Sequence, residues 1–211
     1  MRIAFFITLF CIGFLWCVET VMARPVSYPG GWTGMIMNTP DTNSFHAHYS
    51  PTARYSVGYK IEHWRDDDYT LHMAQMNNLL NRWNGRDYQA NIYLKSGLGI
   101  SDNTENDGLA GFSGVALDWE NRRFFTSYEN RYTKVSDVDD FYMQSARVGV
   151  APYIGDYGDL HTWFMLQVDH QPENQHAVTV MPMVRFFKDV HLVEAGINNQ
   201  GSVLFNWVIR Y

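Results

Sequence analysis

Cysteine is all but missing: Cys11 and Cys17 are the only two, and nothing beyond residue 17 carries a thiol. Thiol catalysis, zinc–cysteine centres and disulfide scaffolds are therefore excluded from the rest of the chain. A basic surplus is missing too. Sixteen Lys and Arg face 22 Asp and Glu, for a net charge of −6, which excludes an electrostatic nucleic-acid binder. Long apolar runs occur only in the first twenty or so residues, and the mean hydropathy of −0.28 rules out a multi-span helical membrane protein. No convincing helical period follows residue 30. What is abundant is aromatic and small: 13 Tyr, 13 Phe, 7 Trp and 16 Gly, a mixture that favours β-structure.

The opening segment reads as an address. Met1–Arg2 supplies a positive start, Ile3 to Val18 is nearly unbroken apolar, and Val21-Met22-Ala23 provides a cleavage site. This is the layout of a secretory signal peptide over residues 1–23, removed after Ala23. The uncleaved alternative is a short helical anchor. No small residue precedes Cys11 or Cys17, so a lipoprotein site is not indicated.

Residues 24–211 break into runs of about ten to fourteen residues with period-two alternation, each closed by turn formers. Twelve strands are expected: Trp32–Thr39, Ser44–Ser50, Arg54–Arg65, Tyr69–Trp83, Tyr88–Ile100 and Leu109–Glu120, then Arg122–Lys134, Phe141–Tyr153, Leu160–His170, His176–Phe187, Val190–Ile197 and Ser202–Tyr211. A tilted strand crossing an outer membrane needs about 9–11 residues. The connections alternate between a longer, more acidic set and a shorter one, the asymmetry of transmembrane barrels with short periplasmic turns. Two features resist. Pro182 interrupts its strand and predicts a bulge or a lumen-side water. Asn77-Asn78 and Asn81-Arg82 blur the alternation of Tyr69–Trp83, and either feature would lower the count to ten.

The last strand carries the sharpest pattern. Val203, Phe205, Trp207, Ile209 and Tyr211 share one face, and Leu204, Asn206, Val208 and Arg210 the other. An apolar, aromatic-rich face opposite a mixed one suits lipid outside and a polar lumen inside. Here the chain resembles bacterial outer-membrane β-barrel proteins, whose final strand alternates in this way and ends on an aromatic residue. The resemblance is to an architecture class over residues 24–211 and transfers no catalytic residue. It implies an all-β, closed antiparallel transmembrane barrel in the outer membrane of a Gram-negative bacterium, surrounded by outer-membrane lipid. It also implies an assembly signal at Phe205, Trp207, Ile209 and Tyr211, read by the barrel-assembly machinery. Trp32, Trp119, Tyr132, Tyr142 and Tyr153 are candidates for the interfacial girdles. A soluble lipocalin-like barrel or β-sandwich would have to bury Lys60, Glu62, Lys95 and Asp169, which is costly.

Parity assigns Lys60, Glu62, Lys95, Asp118, Glu120, Arg123, Glu129, Arg131, Arg147, Asp169, Arg185, Glu194 and Arg210 to the lumen, seven basic and six acidic. Two readings stand: a salt-bridged network that stiffens a closed barrel, or a selectivity path for small ions and solutes. Bulky inward candidates (Trp64, Phe112, Phe125, Trp163 and Phe187) argue for a narrow or closed pore. Passive transport fits the lack of any nucleotide-binding motif.

A second constellation is soft. Met35 and Met37 share a face with Thr33, and His46 and His48 share one with Ser44; a hairpin through Pro40–Asn43 sets Met37 opposite His46 and Met35 opposite His48. Thioether plus imidazole suits copper(I) or silver(I), with His72 and Met76, or Met181 and Met183, as extensions. No other cofactor is indicated. A third reading, an outer-membrane lipid-modifying enzyme, rests only on the co-occurrence of Ser127, His161 and Asp169 without a nucleophile motif.

Overall fold

The computed structural model describes residues 24–102, 107–136, 139–156 and 158–211. The expected signal peptide, residues 1–23, lies outside the described residues. Twelve antiparallel strands form one closed barrel: β1 (Gly31–Asn38), β2 (Thr42–Thr52), β3 (Tyr55–Trp64), β4 (Tyr69–Asn84), β5 (Tyr88–Asp102), β6 (Gly108–Asn121), β7 (Phe124–Val135), β8 (Asp139–Val150), β9 (His161–His170), β10 (Val178–Lys188), β11 (His191–Ile197) and β12 (Val203–Arg210). Each strand pairs with its chain neighbours. β1 closes on β12 with Thr33 opposite Arg210 and Asn38 opposite Phe205. No helix occurs among the described residues.

Period-two alternation fixes which side chains point out. Ile36, Phe45, Val57, Leu98, Val148, Phe164 and Leu166 are all exposed on the outer wall. On β12, Phe205 and Trp207 face outward while Leu204, Asn206 and Val208 are buried inside. Rings gather near the strand ends. At the end carrying the chain termini, Trp32 lies 5.2 Å from Tyr49 and Tyr88 stacks on Trp119 at 6.2 Å. Towards the other end, Tyr132 and Tyr142 are cross-strand partners.

The connections at the terminus-bearing end are two or three residues long, with one exception: residues 151–160 between β8 and β9. The Lys188–His191 turn has Asp189 at φ 54°, the left-handed conformation a two-residue turn requires and one Asp tolerates. The turn expected at Glu120–Asn121 falls two residues later, because the side chain of Asn121 accepts hydrogen bonds from the backbone N–H groups of Arg123 and Phe124.

The two irregular features have local solutions, and the count stays at twelve. In β4 the register with β5 slips between Leu79 and Asn81, so a bulge at Leu80 absorbs the blurred pattern. Pro182 makes no bulge. Its register with β9 is unbroken, and the β10–β11 ladder starts one residue later, with Met183 opposite Gly196. The proline thus sits between the terminal β10–β11 ladder pair and a loop contact in which Val180 bonds Asn199, so its missing N–H interrupts neither, and it faces outward.

Two apolar clusters occupy part of the barrel interior. One apolar cluster joins Trp64, Tyr69, Leu71, Met73, Phe112, Val135 and Phe141. Within it, Trp64 of β3 meets Phe141 of β8 edge-on at 4.5 Å, from strands five places apart in the wall. A second cluster joins Phe125, Trp163, Met165, Met181, Met183 and Leu204.

Candidate functional site

The inward charges fall into three groups. In the first, Glu62 is the hub. Lys60 Nζ donates to its Oε1 at 2.6 Å, while Arg131 on β7 reaches both oxygens, Nη1 to Oε1 at 3.0 Å and Nη2 to Oε2 at 2.7 Å. The fork geometry of guanidinium on carboxylate is the strong form of this contact. Arg131 lies 4.5 Å over the ring of Phe112, a cation–π contact that covers its apolar face. Phe112 has room because Gly97 is its cross-strand neighbour: a Cβ there would stand 2.3 Å from the ring. Lys95 and Glu129 pair beside this group.

In the second group Glu194 is the hub. Arg185 Nε donates to Oε1 at 2.7 Å, Asn206 Nδ2 to Oε2 at 2.9 Å, and Arg147 Nη1 lies 3.4 Å from both oxygens. Arg185 stacks on Phe125 at 4.7 Å. Buried carboxylates of this kind hold their place only when most of their lone pairs are met.

The third group lies at the terminus-bearing end and involves residues that alternation alone did not place. The segment Arg24–Gly30 turns into the barrel mouth. Arg24 pairs with Glu120, and its carbonyl accepts from Arg210 Nη2 at 2.6 Å. The Pro25 carbonyl accepts from Ser56 Oγ at 2.6 Å, and the Ser27 N–H donates to Ser50 Oγ at 2.9 Å. Val26 is buried. Arg82 donates to Asn91 at 2.7 Å, which in turn donates to Asp118 at 2.6 Å. A cavity of about 200 Å³ remains beside this segment, lined among others by Arg24, Tyr28, Arg82, Asp189 and Arg210.

Of the lumen residues assigned by parity, Arg123 is misplaced: it lies exposed in the β6–β7 turn, because that turn begins two residues later than expected. The remaining twelve point inward, Asp169 being held by Gln167 at 2.6 Å. Arg82 and Arg24 are additions. Arg82 escaped because the bulge at Leu80 reverses parity beyond it. Arg24 escaped because its partner is 96 residues away.

The soft constellation changes register. Asn38 pairs with Asn43, so Met35 stands opposite His46, Met37 opposite Ser44, and Thr33 opposite His48. Thr42 is drawn into the strand by a clasp in which its N–H donates to Thr39 Oγ1 at 3.0 Å, shortening the loop. His72 and Met76 point outward, where Tyr59 bonds His72, and so leave this set. Met181 and Met183 belong to the second apolar cluster. Among the described residues no three His, Cys, Asp or Glu gather as a metal site.

Ser127, His161 and Asp169 do not converge. Ser127 and Gln167 both flank Arg147, whereas His161 lies six residues further along β9, about 20 Å at the rise of a strand.

No protein-family model and no curated protein matches the chain. Among solved structures it is similar to the KdgM porin, described both alone and in complex with disordered oligogalacturonate. Each comparison has a TM-score of 0.50 and 6% identity, covering 86% of this chain and 98% of that one. Acinetobacter baumannii OccAB4 follows with a TM-score of 0.42 and 10% identity, over 81% of this chain and 52% of that one. The likeness to the KdgM porin is one of fold: the chain has the closed antiparallel barrel architecture that a porin uses.

Proposed function

We propose that this protein is an outer-membrane β-barrel acting as a narrow, passive passage for small ions and solutes, closed at its terminus-bearing end by its own segment Arg24–Gly30. The observation that carries this is the contrast between the two faces of one wall. Outside, apolar and aromatic side chains stand exposed, a surface that only lipid can cover at low cost. Inside, each lumen carboxylate has a hydrogen-bond or ion-pair partner, and two pairings span strands well apart in the wall.

Paired charges also bear on the solute. The KdgM porin is described with an acidic sugar chain. Here Arg131, Arg147 and Arg185 are engaged by carboxylates, so they do not form an open cationic track for such a chain. Small solutes suit the remaining space. Export by a leader over residues 1–23, and assembly through Phe205, Trp207, Ile209 and Tyr211, complete the proposal.

Planar-bilayer recording tests it. Small, discrete, salt-dependent conductance steps are expected from the purified protein, together with heat-modifiable gel mobility and recovery in the outer-membrane fraction. Electrical silence across a range of voltage and salt overturns the passage. Recovery in the soluble fraction overturns the membrane assignment.

A further inference from the structure

Two buried polar atoms without a hydrogen-bond partner, His48 Nε2 and Thr33 Oγ1, belong to one cross-strand pair on the lumen face of β1 and β2. His48 is 4% exposed and Thr33 1%. An unmet buried acceptor costs about 1–3 kcal/mol, so such a pair calls for an explanation. One residue pair along, on the same face, Met35 stands opposite His46. Directly opposed side chains have Cβ atoms about 4.5–5.5 Å apart and diagonal ones lie within reach of long side chains. Met35, His46 and His48 therefore share one patch, and a flexible thioether can reach either ring.

We propose that Met35, His46 and His48 form a binding site for a soft monovalent cation of the copper(I) or silver(I) class. Thioether sulfur and imidazole nitrogen are the donors such ions favour. Ser44 Oγ lies 3.3 Å from His46 Nε2, a second contact that orients the ring and leaves its other nitrogen for the ion. The surroundings select the charge. Lys60 on β3 stands opposite His46, and Arg210 flanks Thr33 from β12. Repulsion from both scales with the charge of the incoming ion, so a monovalent cation is opposed half as strongly as a divalent one. Met37, one pair further along, is a reserve donor. The site does not depend on the barrel conducting.

Silver(I) is the probe, titrated calorimetrically into the detergent-folded protein. A Cys11→Ser/Cys17→Ser background removes thiol binding whether or not the leader is present. One ion per barrel is expected, weakened about tenfold or more by Met35→Leu and by His46→Ala/His48→Ala, the range typical of disturbed metal shells. Zinc(II) is expected to bind far more weakly. Heat-modifiable mobility checks folding of each variant, and the near-isosteric Met35→Leu carries the test if the double histidine variant does not fold. Absence of silver binding, unchanged affinity in a folded variant, or zinc binding as tight as silver overturns the assignment.

Discussion

Glu62 on β3 and Arg131 on β7 meet across the lumen through two parallel hydrogen bonds, from strands four places apart in the wall. The pair ties one side of the cylinder to another, and Lys60 completes it at 2.6 Å. The hub is the carboxylate, so the two ends of the bridge are not equivalent. Glu62→Gln leaves both Lys60 and Arg131 without their counter-charge, and removing one partner of a buried pair costs about 3–5 kcal/mol. Arg131→Gln leaves Lys60 still paired and costs less. Urea unfolding of the vesicle-inserted protein is expected to rank the variants in that order.

The Arg24–Gly30 segment makes a second prediction. Glu120→Gln removes the carboxylate that holds Arg24, and single-channel conductance is expected to rise as the segment leaves the mouth. Ser27→Cys/Ser50→Cys supplies the converse, because the Ser27 N–H already donates to Ser50 Oγ at 2.9 Å. With the leader cysteines replaced by serine, oxidation is expected to hold conductance low and reduction to restore it. Equal conductance in all states removes the gating role while leaving the passage itself intact.

The outer wall is tested at Leu166, which faces outward between Val148 and Pro182. Leu166→Arg is expected to cost about 2–4 kcal/mol in vesicles if this position lies at the membrane midplane. A conservative change in an exposed turn, Arg54→Lys, is expected to leave the unfolding midpoint unmoved. A midpoint for Leu166→Arg equal to the parent's contradicts a lipid-facing wall.

Acid stability has a source outside the strands. Asp41, in the β1–β2 connection, has its carboxyl held above the usual 3.8, first by burial and then by the charge of Asp66, with Arg65 opposing. A carboxyl whose pKa is raised on folding destabilises the folded state while ionised, and that cost disappears as pH falls through the raised value and below 3.8. Asp41→Asn is therefore expected to stabilise the protein at neutral pH and to match the parent at about pH 3. Urea midpoints at the two pH values check this.

Alternation made the lumen legible wherever a strand ran without interruption. Val203 to Tyr211 divides cleanly between lipid-type and lumen-type residues, and Lys60, Glu62 and Lys95 follow from parity alone. Interruptions hid the rest. A single extra residue at Leu80 concealed Arg82, and a turn beginning two residues late placed Arg123 on a strand it does not join. The β1–β2 connection is one residue shorter than Pro40–Asn43, because the Thr39–Thr42 clasp draws Thr42 into the strand, and Met35 therefore faces His46 rather than His48. Arg24 had no local signal at all, since a segment folded back into a barrel is defined only by distant contacts.

The strands are far from equal: β4 and β5 run 16 and 15 residues, β11 and β12 only 7 and 8. At about 3.3 Å per residue, one flank is roughly twice as tall as the other. A bilayer of even thickness cannot match both flanks of an upright cylinder. In the outer membrane proposed for it, the barrel has three ways to meet the lipid: project its taller flank into water, lean, or thin and thicken the bilayer around its circumference. That gives a single barrel a front and a back in the plane of the membrane.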